Sequence, residues 1–183
     1  MLVKPINLLV RSKMKLLVYI LPVLMLLSCS DNHKELPVID VKKMQEDLIE
    51  ANKKALSQES VQIEAYVKEN NLNVVRTKTG LRYAIYKDVE GEKVKEKQEV
   101  LVKYKVTLLD GTECYNTDEN PEFFTVGKDY VESGLHEGIQ FMSIRDKAII
   151  IIPSHLGHGL AGDLKEIPFK STIVYDIELL DIK

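Results

Sequence analysis

The run FFTVGKDYVESGLHEGIQFM (residues 123–142), continued by DKAIIIIPSHLGHG (146–159) and IPFKSTIVYDIELLDI (167–182), sets one helical period between strand periods. Read by spacing, it gives a short strand at Phe123–Val126, a short helix at Gly134–Met142 and a buried apolar strand at Lys147–Ile152. A long Gly-rich loop and a closing strand at Thr172–Ile182 follow. The helix rests on Leu135, Ile139 and Met142, spaced i, i+4, i+7, with Ser133 as N-cap and His136, Glu137 and Gln140 on the polar side. In the closing strand Ile173, Tyr175, Ile177 and Leu179 alternate with outward-facing Thr172, Asp176 and Glu178, as a half-exposed sheet requires. The expected form is a concave antiparallel sheet holding one helix, an α+β architecture.

Working back from this stretch, Glu99–Leu109 (EVLVKYKVTLL) is the cleanest strand pattern. Val100, Val102, Tyr104, Val106 and Leu108 share one face, which aims the Tyr104 phenol inward, where it needs a partner or a ligand. Asp110-Gly111 is a hairpin signal, and TECYNT returns from it. Upstream, NVVRT and LRYAIYKD read as strands, with Leu81, Tyr83 and Ile85 alternating against Arg82, Ala84 and Tyr86. The charged connection VEGEKVKEKQ between them and the long strand reads as a solvated loop. Asp40 is placed to cap a helix with Met44, Leu48, Ala51 and Ala55 on one face. A second helical pattern, Glu59–Asn70, carries Ile63, Tyr66 and Val67, and Asn70-Asn71 ends it. Residues 40–72 thus form a helical arm, which is either a solvated stalk or a surface for homodimerisation or partner binding.

The chain has 183 residues, room for one ordinary domain plus a tail, and no internal repeat. From Met14 the text MKLLVYILPVLMLLSC gives a lysine, an apolar run and Leu26-Leu27-Ser28 before Cys29. This is a secretory signal that resembles the lipobox at which bacterial lipoproteins are cleaved and acylated on cysteine. Leu16–Leu27 is twelve residues, too short for a helix rising about 1.5 Å per residue to span about 30 Å of hydrocarbon. The expected organisation is a signal at 1–28 with Met14 as the start, a lipidated tether at 29–39, the arm at 40–72 and one domain at 73–183. Loss of residues 1–28 removes Lys4, Arg11, Lys13 and Lys15 and no acid, which carries the formal charge from −3 to −7. Such a balance argues against a nucleic-acid partner, which needs a basic patch. With Cys29 lipidated, Cys114 has no intrachain partner for a disulfide.

Taken together, VLVKYKVTLLDGTECYNT (100–117), the helix-bearing run, IIIIPSHLGHG (149–159) and IPFKSTIVYDIELL (167–180) resemble, in order and interval, the FKBP-type peptidyl-prolyl isomerases. The likeness covers about Thr79–Lys183. The lipobox, the arm and TKTGLRYAIYKD (77–88) also look like the gliding-motility-associated lipoprotein isomerases of Bacteroidetes-type bacteria. The resemblance implies an FKBP-like curved antiparallel sheet wrapped around a short helix, with an apolar pocket for a prolyl side chain. It also implies proline-containing polypeptides as partners, no cofactor, no metal, and a cell-envelope location on the lipid of Cys29. Carried over by position, Tyr104 and Phe124 become aromatic walls, with Val131 beside them. The Glu132 backbone N–H becomes a donor to the substrate, Leu135 the floor, and Ile167 and Tyr175 the far wall.

Four positions depart from the family pattern. Cys114 and Tyr115 stand where the family has Phe-Asp, His158 where a loop tyrosine donates to the substrate, and Leu135 where the floor is usually tryptophan. Tyr115 and His158 are retained as catalytic candidates, Cys114 as a substrate contact, and weakened or altered catalysis is the expectation. Two sharper readings are available from residue types alone. His155 and His158 with Cys114 or His136 suggest a metal site, which needs three or four converging ligands. Cys114 with His158 suggests a thiol nucleophile, for which the sequence shows no third orienting group or oxyanion element. The chain therefore reads either as an isomerase for exported polypeptides or as a binding module that holds proline-bearing segments in the same groove.

Overall fold

The computed structural model describes residues 40–183. The signal, Cys29 and the tether up to residue 39 lie outside the described residues. Helix α1 (Val41–Glu69) is followed by β1 (Val75–Arg76), β2 (Arg82–Lys87), β3 (Glu99–Leu108), β4 (Glu113–Asn116) and β5 (Glu122–Thr125). The short helix α2 (Ser133–Ile139), β6 (Lys147–Ile152), a 3-10 turn at Ser154–Leu156 and β7 (Ile173–Ile182) complete the chain. The strands form one antiparallel sheet in the order β1-β2-β6-β7-β3-β4, with β5 also pairing with β3.

The two helical patterns of the arm are one helix of 29 residues. No glycine or proline lies between Asp40 and Asn70, so nothing interrupts the backbone bonding across Gln58. Asp40 Oδ1 accepts from the amides of Lys42 and Lys43, both at 3.1 Å, as its capping position predicts. Asn71 ends the helix at φ 51°, the left-handed conformation asparagine tolerates, and Leu72 N–H returns to Val67 O at 2.9 Å.

One compact unit runs from Gln45 to Lys183. Helix α1 presents exposed Leu48, Ile49 and Leu56, then buries Ile63 against Ile151 and Val174 on the back of the sheet. That packing corrects two expectations. Arg82, read as an outward-facing polar position, is 1% exposed, because the helix lies over it. Its guanidinium donates to Glu64 Oε1 from Nε and Nη2 at 2.9 and 2.7 Å, to Ser60 Oγ at 2.8 Å and to Gly80 O at 2.9 Å. Thr172, also read as outward, is buried for the same reason.

The inner face of the sheet is the core. Val100, Val102, Val106, Ile150, Ile152, Ile173, Ile177 and Leu179 close over Leu135, Ile139 and Met142. Two glycines let α2 approach this closely. A Cβ on Gly134 would sit 2.4 Å from Ile152 Cγ2, and one on Gly138 would sit 2.8 Å from Ile150 Cδ1. The helix is shorter than its apolar spacing predicts, since Phe141 N–H and Met142 N–H bond three residues back, to Gly138 and Ile139. This tighter last turn still delivers Met142 to the core. Nor is Ser133 the N-cap. That position is Glu132, whose extended backbone carries no side-chain cap, while Ser133 Oγ donates to Leu156 O at 3.0 Å. Of the pattern NVVRT, only Val75 and Arg76 pair in the sheet.

The charged connection is anchored and not wholly solvated. Val94 is buried, and the fully buried Asp146 accepts from Val89 N–H and Ser143 N–H at 2.7 Å each and from Lys93 Nζ at 3.3 Å.

Candidate active site

A cleft of about 840 Å³ opens between β3, β4 and β5 on one side and the start of α2, the loop after β6, and β7 on the other. Eight of the ten candidate side chains line it: Tyr104, Tyr115, Phe124, Val131, Glu132, Leu135, His158 and Tyr175. Cys114 and Ile167 do not. Ile167 is buried in the core, and the Cys114 thiol lies near Thr112 O and Glu166 O, at 3.9 and 3.7 Å.

Strand register explains the aromatic wall. Tyr104 and Tyr175 project from the adjacent strands β3 and β7, and their rings meet edge to face with centroids 5.2 Å apart. Phe124 comes from β5, opposite Val100 on β3, and its ring meets the His136 imidazole edge-on at 5.8 Å. His136 is a brace for the rim. Its Nδ1 accepts from Gly127 N–H and its Nε2 donates to Asp129 O, both at 3.0 Å, which shapes the turn leading into Val131 and Glu132. Leu135, at the start of α2, is the floor. The Glu132 backbone N–H donates to no protein acceptor among the described residues, so it is free for a peptide carbonyl.

The polar groups are arranged in two sets. Tyr104 OH donates to Glu122 Oε2 at 2.8 Å. Burial and then the Glu122 carboxylate push this phenol well above the usual tyrosine range. Glu122 thus supplies the acidic partner that Tyr115 cannot provide. It was not singled out from the sequence, although Glu122 and Phe124 share a strand face by simple alternation, and Phe124 was.

The second set crosses the cleft. The Glu132 carboxylate accepts from Tyr175 OH at 3.0 Å to each oxygen, and His158 Nε2 lies 2.8 Å from its Oε1. Burial first, then the Glu132 charge, raises Tyr175 far above its ordinary value. Beyond His158, Tyr115 OH donates to Asp163 Oδ2, whose other oxygen takes Lys165 N–H at 2.9 Å and Ile167 N–H at 2.8 Å. Desolvation acts to raise Asp163, but the Tyr115 hydroxyl, these two amides and nearby His158 outweigh it and bring it to about 2. The same bond, with desolvation, pushes Tyr115 up to about 12. The phenol and the carboxylate therefore hold a single proton between them across the neutral range.

The two sharper readings find little support in this geometry. His155 Nε2 bonds to Thr79 O at 3.0 Å while His158 turns to Glu132, so the two rings do not converge. No cluster of three or more His, Cys, Asp or Glu suited to a metal is present among the described residues. Burial and then the charges of Asp163, Glu166 and Asp110 raise the Cys114 pKa, which keeps it a thiol and a poor nucleophile.

A curved antiparallel sheet closed over one short helix, with an aromatic cleft at the helix N-terminus, defines an FKBP-like fold. A model of the family described as FKBP-type peptidyl-prolyl cis-trans isomerase matches residues 90–180. The crystal structure of FkpA from Escherichia coli is similar, with a TM-score of 0.61 and 32% identity over 80% of this chain and 74% of that one. The chain belongs to the FKBP-type peptidyl-prolyl cis-trans isomerase family. Among curated proteins, it is 40% identical over 111 residues to the isomerase FkpA of Buchnera aphidicola and 37% identical over 120 residues to that of Escherichia coli K12. These alignments cover 60% and 66% of this chain but only 44% and 43% of those proteins, so the chain spans less than half the length of these curated relatives. A peptidyl-prolyl isomerase from Pseudomonas syringae, at 24% identity and a TM-score of 0.62, shares the fold.

Proposed function

We propose that this protein is a peptidyl-prolyl cis-trans isomerase that assists the folding of exported polypeptides. The observation that carries the reading is the cleft itself, with Tyr104, Phe124, Leu135 and Tyr175 as walls and floor and, at its edge, a Glu132 amide with no acceptor among the described residues. Rotation about an X-Pro bond crosses a barrier of about 18–20 kcal/mol, set by amide resonance, and needs no covalent step. A dry aromatic enclosure disfavours the charge-separated planar amide relative to the twisted one, and a hydrogen bond to the preceding carbonyl holds the substrate in register. Tyr104 supplies wall and Glu132 N–H the bond. His158, carried into the cleft by the loop after β6, stands in place of the loop tyrosine.

The test is cis-trans exchange of a short Xaa-Pro peptide followed by NMR, with Tyr104→Ala as control. Wild type is expected to accelerate exchange, and the control to lose at least about tenfold, a barrier change of about 1.4 kcal/mol. Equal exchange with and without protein, with peptide resonances still shifting, would support the second reading, a binding module. One observation favours that reading: Glu132 lines the cleft, and its carboxylate accepts from Tyr175 OH.

The finer parts of the proposal concern placement. Cys29 carries lipid that attaches the chain to a cell-envelope membrane, and the protein is of the gliding-motility-associated subtype. The lipobox and the phrase at residues 77–88 support this. No helix among the described residues is long and apolar enough to cross a bilayer. Residues 40–72 also serve as a dimerisation arm, a reading supported by exposed Val41, Met44 and Leu48 spaced three and four apart on α1. Light scattering and membrane partitioning check both parts. The full chain is expected as a membrane-bound dimer, Cys29→Ser as a soluble dimer, and a chain lacking residues 31–55 as a monomer.

A further inference from the structure

The loop from Ser154 to Thr172 brings His158 and Asp163 to the cleft, and both of its roots are held by one carboxylate that lies outside the cleft. Glu59, on α1, accepts from Ser154 N–H at 2.6 Å and Thr172 Oγ1 at 2.7 Å with its Oε1, and from Ser154 Oγ at 3.1 Å with its Oε2. Ser154 is the first residue after Pro153, and Thr172 the last before β7, so the clamp closes the loop at its base. Within the loop, Gly159 N–H bonds to Ser154 O and Lys170 N–H to Gly159 O, each at 2.8 Å. Ser133 Oγ to Leu156 O then ties the same loop to the residue beside Glu132. A continuous set of bonds therefore runs from the arm helix through the loop base to the cleft.

We propose that Glu59 is a positioning residue for the isomerase site: it fixes the loop base and thereby the place of His158 at the cleft. The inference rests on the isomerase reading above. Charge-assisted bonds to a half-buried carboxylate are among the stronger ones available to hold a loop, and the site has little tolerance for displacement. The arm helix is accordingly part of the catalytic apparatus, and whatever engages or strains it alters turnover.

The test uses the full chain and kcat/KM for an Xaa-Pro peptide. Glu59→Ala is expected to lower it about tenfold, since small misplacements of positioned groups have effects of this size. Glu59→Gln keeps an acceptor for Ser154 N–H and Thr172 and is expected to stay within about twofold of wild type. In a His158→Ala background, Glu59→Ala is expected to add less than about twofold, because both changes act through one group. The same tenfold loss in both backgrounds, or none in either, would overturn the proposal. Amide hydrogen exchange supplies a readout independent of turnover. The Gly159 and Lys170 amides are expected to exchange faster in Glu59→Ala while those of β3 stay as in wild type. Unchanged loop exchange would sink the clamp. Absence of catalysis by wild type would refute the isomerase reading instead, and loop exchange would then decide the clamp alone.

Discussion

Exchanging Glu132 for leucine together with Tyr175 for phenylalanine is expected to raise kcat/KM for X-Pro isomerisation about tenfold, close to 1.4 kcal/mol off the barrier. In this cleft the Glu132 carboxylate is turned inward and met by the Tyr175 hydroxyl and the His158 ring. A prolyl ring entering the aromatic enclosure must displace or desolvate that charge, which is costly, and a fixed charge beside the amide favours its charge-separated planar form. Both changes are needed at once. Glu132→Leu alone strands the buried Tyr175 hydroxyl without an acceptor, a penalty of about 1–3 kcal/mol, whereas removing both polar partners with shape retained is nearly neutral. Phenylalanine keeps the Tyr175 ring against Tyr104, and the Glu132 backbone N–H is untouched. NMR exchange with the double variant measures the outcome. An unchanged or lowered rate would show that the carboxylate assists the reaction through His158 and does not obstruct it.

The second large effect concerns a single methyl group. Gly134→Ala is expected to cost about 1–3 kcal/mol of stability by overpacking, net of a gain in helix propensity of about 1 kcal/mol. It is also expected to lower kcat/KM by up to about 100-fold, because the start of α2 carries both Glu132 and Leu135 and a displacement near 1 Å suffices. The added Cβ meets Ile152 Cγ2 at 2.4 Å and Cγ1 at 3.1 Å, atoms close to a backbone that pairs with Ile173 of β7 and follows directly on Ile151, which pairs with β2. Helix, not strand, must give way. Ile152→Ala in the same chain removes the obstructing atoms, so the pair should be less destabilised than the two single costs imply, with Ile152→Ala alone costing about 2–5 kcal/mol. Urea unfolding of the four proteins closes this cycle. Strict additivity would mean that the helix does not seat on Ile152 as described.

The inner face of the fold was legible because it obeys one rule. Period-2 alternation in β3 and β7 and the i, i+4, i+7 triplet Leu135, Ile139 and Met142 name much of that core, and the four blocks shared with the family fix their order. The outer face was not legible by the same rule. Arg82 and Thr172 stand at positions that alternation assigns to water, and only a helix more than a dozen residues away in the chain turns them inward. In the site, side chains on strands were found because strand position fixes direction. Glu122 was not legible, because only the pairing of β5 with β3 sets it beside Tyr104. Cys114 and Ile167 were included by position in the family pattern, and local packing places them behind the lining. The single helix in place of two reflects a bias in pattern reading: two narrow apolar stripes that drift around a long helix look like two helices.

The burial of Arg82 bears on where this protein can be cut. The likeness to the family begins near Thr79, and the family model begins at residue 90, so either would suggest a fragment without the arm. Such a fragment keeps six of the seven strands or fewer and loses the cover over Ile151 and Val174. Begun at Thr79, it leaves the Arg82 guanidinium without Glu64 and Ser60. A bare apolar stripe on a sheet face is a template for unwanted association. The inherited module and the piece of chain that stays soluble by itself thus have different lengths, and any excised version has to begin upstream of Glu59.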